Sequence, residues 1–233
     1  MAATNRGTLA LVGGGEWETP CRPLDEELLE ASGGSDVVVL AAAAAFEHPD
    51  RVVERARAWF GDLGAKVEAL PVTNRRDAEQ DAVVRKAEKA RFLYIADGSP
   101  LHLRSVLKGS SLFDAIVHAY ERGAVLAASG AGATLVCDPM VDPRGGAYTV
   151  GLGVVRGLAV FPYHGDAADH LRERSIELLP ADATLVGLDA HTALVRREQE
   201  EWRVRGPGEA TIYRRGDAPI VMRDGASLAS ASR

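Results

Sequence analysis

The chain has 233 residues, 46% of them hydrophobic and 26% charged, which is typical of a soluble globular protein with one full-sized core. Its 27 Lys and Arg residues against 33 Asp and Glu residues give a net charge of −6, and no long basic block occurs. This charge balance argues against nucleic acid or an anionic membrane surface as a partner, and no stretch approaches the roughly 20 apolar residues of a membrane span.

The first half alternates short apolar runs with amphipathic segments. The apolar runs predict strands at Thr8–Val12, Asp36–Ala41, Lys66–Leu70 and Arg91–Ile95, and the run that starts at Ala124 predicts a fifth. The amphipathic segments predict helices at Leu24–Ala31, Arg51–Leu63, Ala78–Ala90, Leu101–Leu107 and Leu112–Arg122. Strands that alternate with helices need right-handed crossovers. We therefore predict a doubly wound, mostly parallel (flavodoxin-like) α/β sheet with helices on both faces.

The pattern changes after Pro139. Short β-like pieces follow at Tyr148–Val150, Leu158–Phe161, Thr184–Leu188, Ala193–Val195, Trp202–Val204, Ala210–Tyr213 and Ile220–Met222, with one helix at Ala167–Leu179. These pieces predict antiparallel strands added towards the C-terminus. No repeat or linker is visible, so we predict one domain over residues 1–224. The small, polar residues 225–233 are predicted to form a disordered tail.

A strand, a tight turn and a helix are predicted at the stretch AVLAASGAGAT, residues 124–134. Several classes of hydrolase mount a nucleophile at such a corner, which makes Ser129 a candidate. In a doubly wound sheet, sites form at the carboxyl ends of the parallel strands. The loops 13–16, 97–100 and 129–132 follow three such ends, so we expect them to converge.

Several segments, read in order, resemble the cyanophycinase and aspartyl dipeptidase (peptidase E) family of serine peptidases. They are LVGGGE, IADGSPLHLRSVLKGSSL, AVLAASGAGA, GLGVV and GLDAHTALV, and together they run from about residue 8 to about residue 213. The resemblance implies a flavodoxin-like fold related to class I glutamine amidotransferases. It also implies cleavage of peptides beside aspartate without a cofactor.

The chain departs from the family pattern at four functional positions. In an ungapped match to the motif G-[TS]-S-A-G-A, Ser129 falls on the [TS] position and Gly130 on the nucleophile. Tyr163 stands where the resemblance places the general-base histidine, and Ala190 replaces a glutamate. The G-G-x-Q loop becomes residues 97–100, without its glutamine.

These departures favour a family member that keeps the fold and pocket but has lost hydrolysis, and that serves as a binding or partner subunit. The resemblance places the oxyanion and pocket positions at Glu16, Gly98, Ser99, Gly130, Ala131 and Tyr163. It implies a small acidic peptide or an amino-acid-like molecule as ligand, and edge strands of such a sheet could form a homodimer. A purely structural interpretation of the corner is that Ser129 caps the following helix.

An active hydrolase is the alternative. A one-residue shift of the motif along the chain would make Ser129 the nucleophile and His164 its general base. Asp189 or Asp166 would then orient the imidazole. The Gly98 and Gly130 amides would hold the oxyanion. A one-residue shift on a strand turns a side chain to the opposite face. We therefore expect the Ser129 hydroxyl and the His164 ring to lie beyond the roughly 3.2 Å reach of a hydrogen bond.

Other candidate residues have simpler interpretations. His164, Asp166, Asp169 and His170 could suggest a metal site, but a solvated loop and helix start explain them equally, and we predict no metal. Cys21 and Cys137 are far apart and form no CxxC pair, so neither zinc nor a disulfide framework is expected. The N-terminal apolar run is too short for a signal peptide, so we expect a cytoplasmic protein.

Arg104, on the helix after Pro100, could meet a substrate carboxylate or be a surface charge.

Overall fold

The protein is described from a computed structural model, which covers residues 6–34, 36–197 and 201–228. In chain order the strands are β1 (Thr8–Val12), β2 (Val37–Leu40), β3 (Val67–Leu70), β4 (Phe92–Ile95), β5 (Val125–Ser129), β6 (Cys137–Asp138), β7 (Met140–Val141), β8 (Tyr148–Thr149), β9 (Val155–Arg156), β10 (Leu158–Pro162), β11 (Thr184–Leu188), β12 (Ala193–Arg197), β13 (Trp202–Arg205), β14 (Ala210–Tyr213), β15 (Ile220–Met222) and β16 (Ser227–Leu228). The helices are α1 (Arg22–Ala31), α2 (Pro49–Asp62), α3 (Asp81–Lys89), α4 (Pro100–Leu107), α5 (Ser111–Glu121), α6 (Ala131–Val136) and α7 (Asp169–Glu177).

The central layer is an eight-stranded sheet in the order β16-β13-β12-β1-β5-β4-β2-β3. Strands β1 to β5 are parallel to one another, whereas β12, β13 and β16 are antiparallel additions at one side. The predicted doubly wound α/β fold with antiparallel C-terminal strands is therefore confirmed. The parallel strands are fully buried at β1, β2, β4 and β5, which is why their sequences are continuous apolar runs.

Side chains alternate between two cores on opposite faces of this sheet. On β5, Leu126 and Ala128 belong to the core that α3 to α6 cover, whereas Val125 and Ala127 belong to the core beneath α1 and α2. By the period of two along a strand, Ser129 faces the same side as Val125 and Ala127. This alternation decides where its hydroxyl points.

The C-terminal half also builds a second sheet that the sequence analysis did not separate from the first. Its order is β15-β14-β11-β10-β6-β9, and β10 and β11 are parallel in it. Strand β10 is buried on both faces: Leu158 and Val160 join the α3–α6 core, and Ala159 and Phe161 join a smaller core beside α7. Strand β10 and its neighbours therefore form a separate layer and do not extend the central sheet.

The predicted boundary of the C-terminal tail needs correction. Ser227 and Leu228 form β16 and pair with Arg203 and Trp202 of β13, so the chain is ordered beyond residue 225. The remainder of the predicted tail, residues 229–233, lies outside the described residues. Within the described ranges, every helix is too short or too polar to cross a bilayer.

Candidate functional site

Three loops meet at the carboxyl ends of β1, β4 and β5, as the sequence predicted. The Glu16 carboxylate after β1 accepts hydrogen bonds from the Ser129 hydroxyl of β5 and from the Asp97 amide after β4. The Asp97 carboxylate in turn accepts from the Ala131 amide at the start of α6. The convergence is confirmed, and it defines a corner built from these loops.

Gly130 forms the tip of this corner with φ 46° and ψ −104°. This left-handed backbone is costly for residues with a Cβ, so glycine is the residue that adopts it without strain. A Cβ at Gly130 would lie 2.2 Å from Cγ of Asp97 and 2.2 Å from its Oδ1. A side chain at residue 130, where the family resemblance places the nucleophile, would therefore collide with the Asp97 carboxylate.

The Asp97 carboxylate is held by three donors. Its Oδ1 accepts from the Ala131 N–H at 2.6 Å and from the Gly98 N–H at 2.7 Å, and its Oδ2 accepts from the Tyr163 hydroxyl at 2.6 Å. The Gly130 amide takes no part, because it donates to the Val12 carbonyl. Of the predicted oxyanion and pocket positions, Gly98 and Ala131 supply the two N–H groups that converge on this carboxylate, whereas the Gly130 N–H does not join them.

Ser129 is fully buried and faces away from this tip. Its hydroxyl donates to Oε2 of Glu16 at 2.8 Å, while Oε1 of Glu16 accepts from the Asp97 amide at 3.2 Å and faces an Arg55 nitrogen at 3.4 Å. The N-cap residue of α6 is Gly130, and the Ser129 hydroxyl bonds to Glu16 instead of to an amide of α6, so the helix-capping interpretation of Ser129 is wrong. Ser129 instead ties the Glu16 loop to the end of β5.

Tyr163 lies against the corner from β10. Its backbone has φ 51°, which is unusual for an aromatic residue, and its hydroxyl also accepts from the Gly15 N–H at 3.2 Å. A Cβ at Gly14 would lie 2.1 Å from Cζ of this ring, so the glycine loop is shaped to let the tyrosine approach. Burial, reinforced by the neighbouring Asp97 carboxylate, raises the pKa of Tyr163 above its usual value. The phenol is therefore a protonated donor at neutral pH.

His164 points away from Ser129. Its Nε2 pairs with the Tyr213 hydroxyl at 2.9 Å, and its Nδ1 lies 3.9 Å from the Asp189 carboxylate. Asp189 uses its other oxygen to accept from the Glu209 N–H at 2.9 Å. Burial, with the nearby Arg172 charge, lowers the pKa of His164. Ser129 and His164 each make their hydrogen bond elsewhere, so the described contacts contain no Ser–His–Asp relay.

The other candidates have structural partners. Ser99 caps α4 by accepting from the His102 N–H at 3.3 Å, and Arg104 donates to the Val150 carbonyl at 2.8 Å. Asp166 contributes its backbone N–H to the Tyr163 carbonyl. Over residues 6–34, 36–197 and 201–228, no group of three or more His, Cys, Asp or Glu side chains is placed to hold a metal ion.

A cavity of about 290 Å³ lies beside the corner, bounded by the 97–100 loop, α6, β10 and the start of α7. Its wall is mostly apolar, with Val141, Phe161 and Leu171 among its members. Asp97 and Asp142 are its charged lining residues, and no Lys or Arg from the described chain lines it. The charge of this cavity does not match the acidic ligand that the resemblance implied.

The model of Peptidase family S51 matches residues 9–203, which is most of the chain and includes every loop of this corner. The protein belongs to Peptidase family S51. It is 26% identical over 219 residues to the cyanophycinase of Synechococcus elongatus, an alignment that covers 89% of this chain and 68% of that one. The cyanophycinase of a Nostoc species is 27% identical over 214 residues, covering 87% of this chain and 72% of the relative.

Solved structures agree with this assignment. A peptidase from an acI-B1 actinobacterium superposes with a TM-score of 0.87 at 26% identity, over 98% of both chains. A peptidase E protein from Listeria monocytogenes superposes with a TM-score of 0.68 at 18% identity, over 87% of this chain and 100% of that one, which shows a shared fold. The resemblance inferred from the sequence is confirmed at the level of the family.

Asp97 is the residue of this S51 corner that the sequence analysis undervalued. The loop at 97–100 departs from the G-G-x-Q motif not only by its missing glutamine but also at the first position, where an aspartate stands. Replacement of a glycine by a charged residue beside a nucleophile position was the available signal. His191, whose Nε2 lies 2.9 Å from Glu18 beside the Gly15 loop, lies within the segment GLDAHTALV, but nothing in the sequence indicated that it would face this loop.

Proposed function

We propose that this S51 protein is a non-catalytic member of its family, whose reaction centre is occupied by its own Asp97 carboxylate. The arrangement that carries the proposal is the carboxylate held by the Gly98 and Ala131 amides and the Tyr163 hydroxyl, directly in front of Gly130. A reaction that needs an attacking oxygen at the tip finds neither a side chain nor free space there.

The occupied amides matter because acyl transfer depends on them. Peptidases stabilise the developing oxyanion with preorganised N–H donors, and loss of one donor lowers kcat by about 10²–10³-fold. Here two converging donors already serve a carboxylate at 2.6 and 2.7 Å. A substrate carbonyl would have to displace that carboxylate, and its fixed negative charge would repel the oxyanion. The Asp97 carboxylate therefore caps the N-terminal end of α6 by accepting from the Ala131 N–H.

The alternative, hydrolysis by Ser129 and His164, is not favoured by their surroundings. Ser129 is fully buried and donates its proton to Glu16, and His164 pairs with Tyr213. Burial behind the tip denies the hydroxyl access to a substrate. Reorganisation of both β5 and β10 would be needed to join the two residues, and each is held by its own hydrogen bond.

The cavity beside the corner supports a role in binding. Its volume of about 290 Å³ suits a small ligand, and its apolar wall ends at the Asp97 carboxylate. We infer that the ligand is a small neutral or amine-bearing molecule with an apolar body rather than an acidic peptide.

A role as a partner subunit or homodimer remains part of this proposal. The edge strand β15, where Ile220 and Val221 are 50% and 52% exposed, is the place to test it by light scattering.

The decisive experiment is a hydrolysis assay with matched variants. Wild type, Ser129→Ala and Asp97→Ala are incubated with aspartyl and β-aspartyl dipeptides, and wild type is treated with a fluorophosphonate. We expect no turnover and no label on any serine, because the described residues present no exposed, activated hydroxyl. Turnover by wild type that disappears in Ser129→Ala, or a fluorophosphonate adduct on Ser129, would establish the hydrolase instead.

A further inference from the structure

A second and larger cavity, of about 720 Å³, shares no lining residue with the one at the corner. It is bounded by α5, the segment that contains β9, and the strands β12 and β13. Neither the S51 assignment nor the corner gives this cavity a role. Its volume lies within the roughly 300–1,000 Å³ usual for small-molecule sites.

The cavity collects uncompensated positive charge on an acidic protein. Four arginines line it, namely Arg6, Arg156, Arg196 and Arg214, against two carboxylates, Asp114 and Glu121. In the part of the chain that the structure describes, none of these four guanidinium groups makes an ion pair. A local excess of cations in a protein of net charge −6 attracts an anion to this place.

Arg196 is presented in a geometry that suits anion recognition. Its guanidinium carbon lies over the Trp202 ring, 4.5 Å from the ring centroid, and this cation–π contact restricts the conformation of the side chain. Among the described residues, the hydrogen bond of this guanidinium is a long one of 3.5 Å to the Tyr120 hydroxyl, and its buried Nε has no acceptor there. A group with five N–H donors thus leaves most of them uncommitted.

One part of the wall is apolar. Phe113, Val155 and Leu158 line the cavity beside the arginines, and the last two are buried. An inorganic anion alone would leave the apolar side chains in contact with water, whereas an apolar ring on the ligand would bury them. The chemistry of the wall therefore calls for a ligand with two parts.

We propose that this cavity is a ligand site for a small molecule that carries a phosphate or carboxylate group on an apolar, ring-sized body. The arginines hold the anionic group through charge-assisted hydrogen bonds, and the Phe113 side of the wall receives the body. The site is independent of the corner, so it stands whether or not the protein hydrolyses peptides.

Isothermal titration of the full chain with phenyl phosphate tests the proposal. Arg214 and Arg215 are adjacent and both exposed, but only Arg214 lines the cavity, so Arg215→Gln is the matched control for Arg214→Gln. We expect one molecule to bind per chain. We expect Arg214→Gln and Arg156→Gln each to weaken binding roughly tenfold, and Arg215→Gln to leave it within about twofold. Melting curves establish that the variants are folded.

Two further measurements separate the contribution of the anionic group from that of the apolar ring. Inorganic phosphate should bind more weakly than phenyl phosphate, and raising the salt concentration should weaken both. No heat with phenyl phosphate, equal loss in the Arg214 and Arg215 variants, or equal affinity for inorganic phosphate would each overturn the proposal. So would a light-scattering result in which Arg214→Gln dissociates a dimer, because the cavity would then be an interface between copies of the chain.

Discussion

Asp25 offers a quantitative test of the buried layer behind the corner. The carboxyl lies on α1 with no exposed surface; its Oδ2 accepts from Trp59 Nε1 at 2.8 Å and its Oδ1 has no partner. Burial, opposed by the Trp59 hydrogen bond and reinforced by the Glu16 charge, raises its pKa from 3.8 to about 7. Cys21, the other titratable group beside it, has its pKa raised to about 12 by burial and therefore stays neutral. We predict that Asp25→Asn removes a large part of the pH dependence of stability.

The sign and size follow from the two pKa values. Because the folded state holds the proton more tightly than the unfolded chain, the carboxyl favours folding at low pH, and this contribution falls as pH rises from 3.8 towards about 7. A shift of that size corresponds to about 4 kcal/mol at 1.36 kcal/mol per pKa unit. Asparagine cannot ionise, but its NH₂ group would occupy the Oδ1 position without an acceptor, which costs about 1–3 kcal/mol. The variant should therefore be more stable than wild type by about 1–3 kcal/mol at pH 8 and less stable near pH 4.

Urea unfolding followed by tryptophan fluorescence, between about pH 4.5 and pH 8.5, measures this difference. Glu30→Gln is the control, since Glu30 is an exposed carboxylate on the same helix and should leave the pH profile unchanged. Parallel profiles for wild type and Asp25→Asn across this range would refute the reasoning. Such a result would mean that water reaches Oδ1 and that the carboxylate ionises without penalty.

Three further predictions concern the corner itself. Ser129→Ala should lower the unfolding free energy by about 1–3 kcal/mol in chemical denaturation, because Glu16 would lose a buried donor; an unchanged midpoint would contradict this role. Gly130→Ala should cost about 3 kcal/mol or more in wild type but only about 1–2 kcal/mol, the left-handed strain alone, in an Asp97→Ala background. Equal costs in the two backgrounds would show that the carboxylate does not fill the tip. By NMR, the His164 ring should titrate with a midpoint below 6.5, since burial lowers its pKa, and a midpoint above that value would refute the buried, neutral assignment.

The family and the parallel layer were accessible from sequence because their signals are local. Short continuous apolar runs such as Thr8–Val12 are typical of strands buried on both faces, and their alternation with helices favours a parallel direction. The order of the loops along the chain then predicted their convergence. The S51 motifs added the expected nucleophile position at Gly130.

The separation into two sheets was not accessible in the same way. Strand β9 has two residues and β6 has two, which is too short to produce a period in the sequence. Their pairing depends on where the chain leaves α6. Likewise, β16 was assigned to a tail because its polar composition carries no sign of the partner strand that orders it.

The S51 fold could be predicted from the sequence, and so could a glycine at the position that the family resemblance implies for the nucleophile, because both depend on residue type and spacing along the chain. The group that fills the space in front of that glycine could be identified only from the folded arrangement. Asp97, Ala131 and Tyr163 come from different elements, and the hydrogen bonds that join them depend on the register of β4, β5 and β10. The direction of the Ser129 hydroxyl was decided the same way, by a strand that turns alternate side chains to opposite faces.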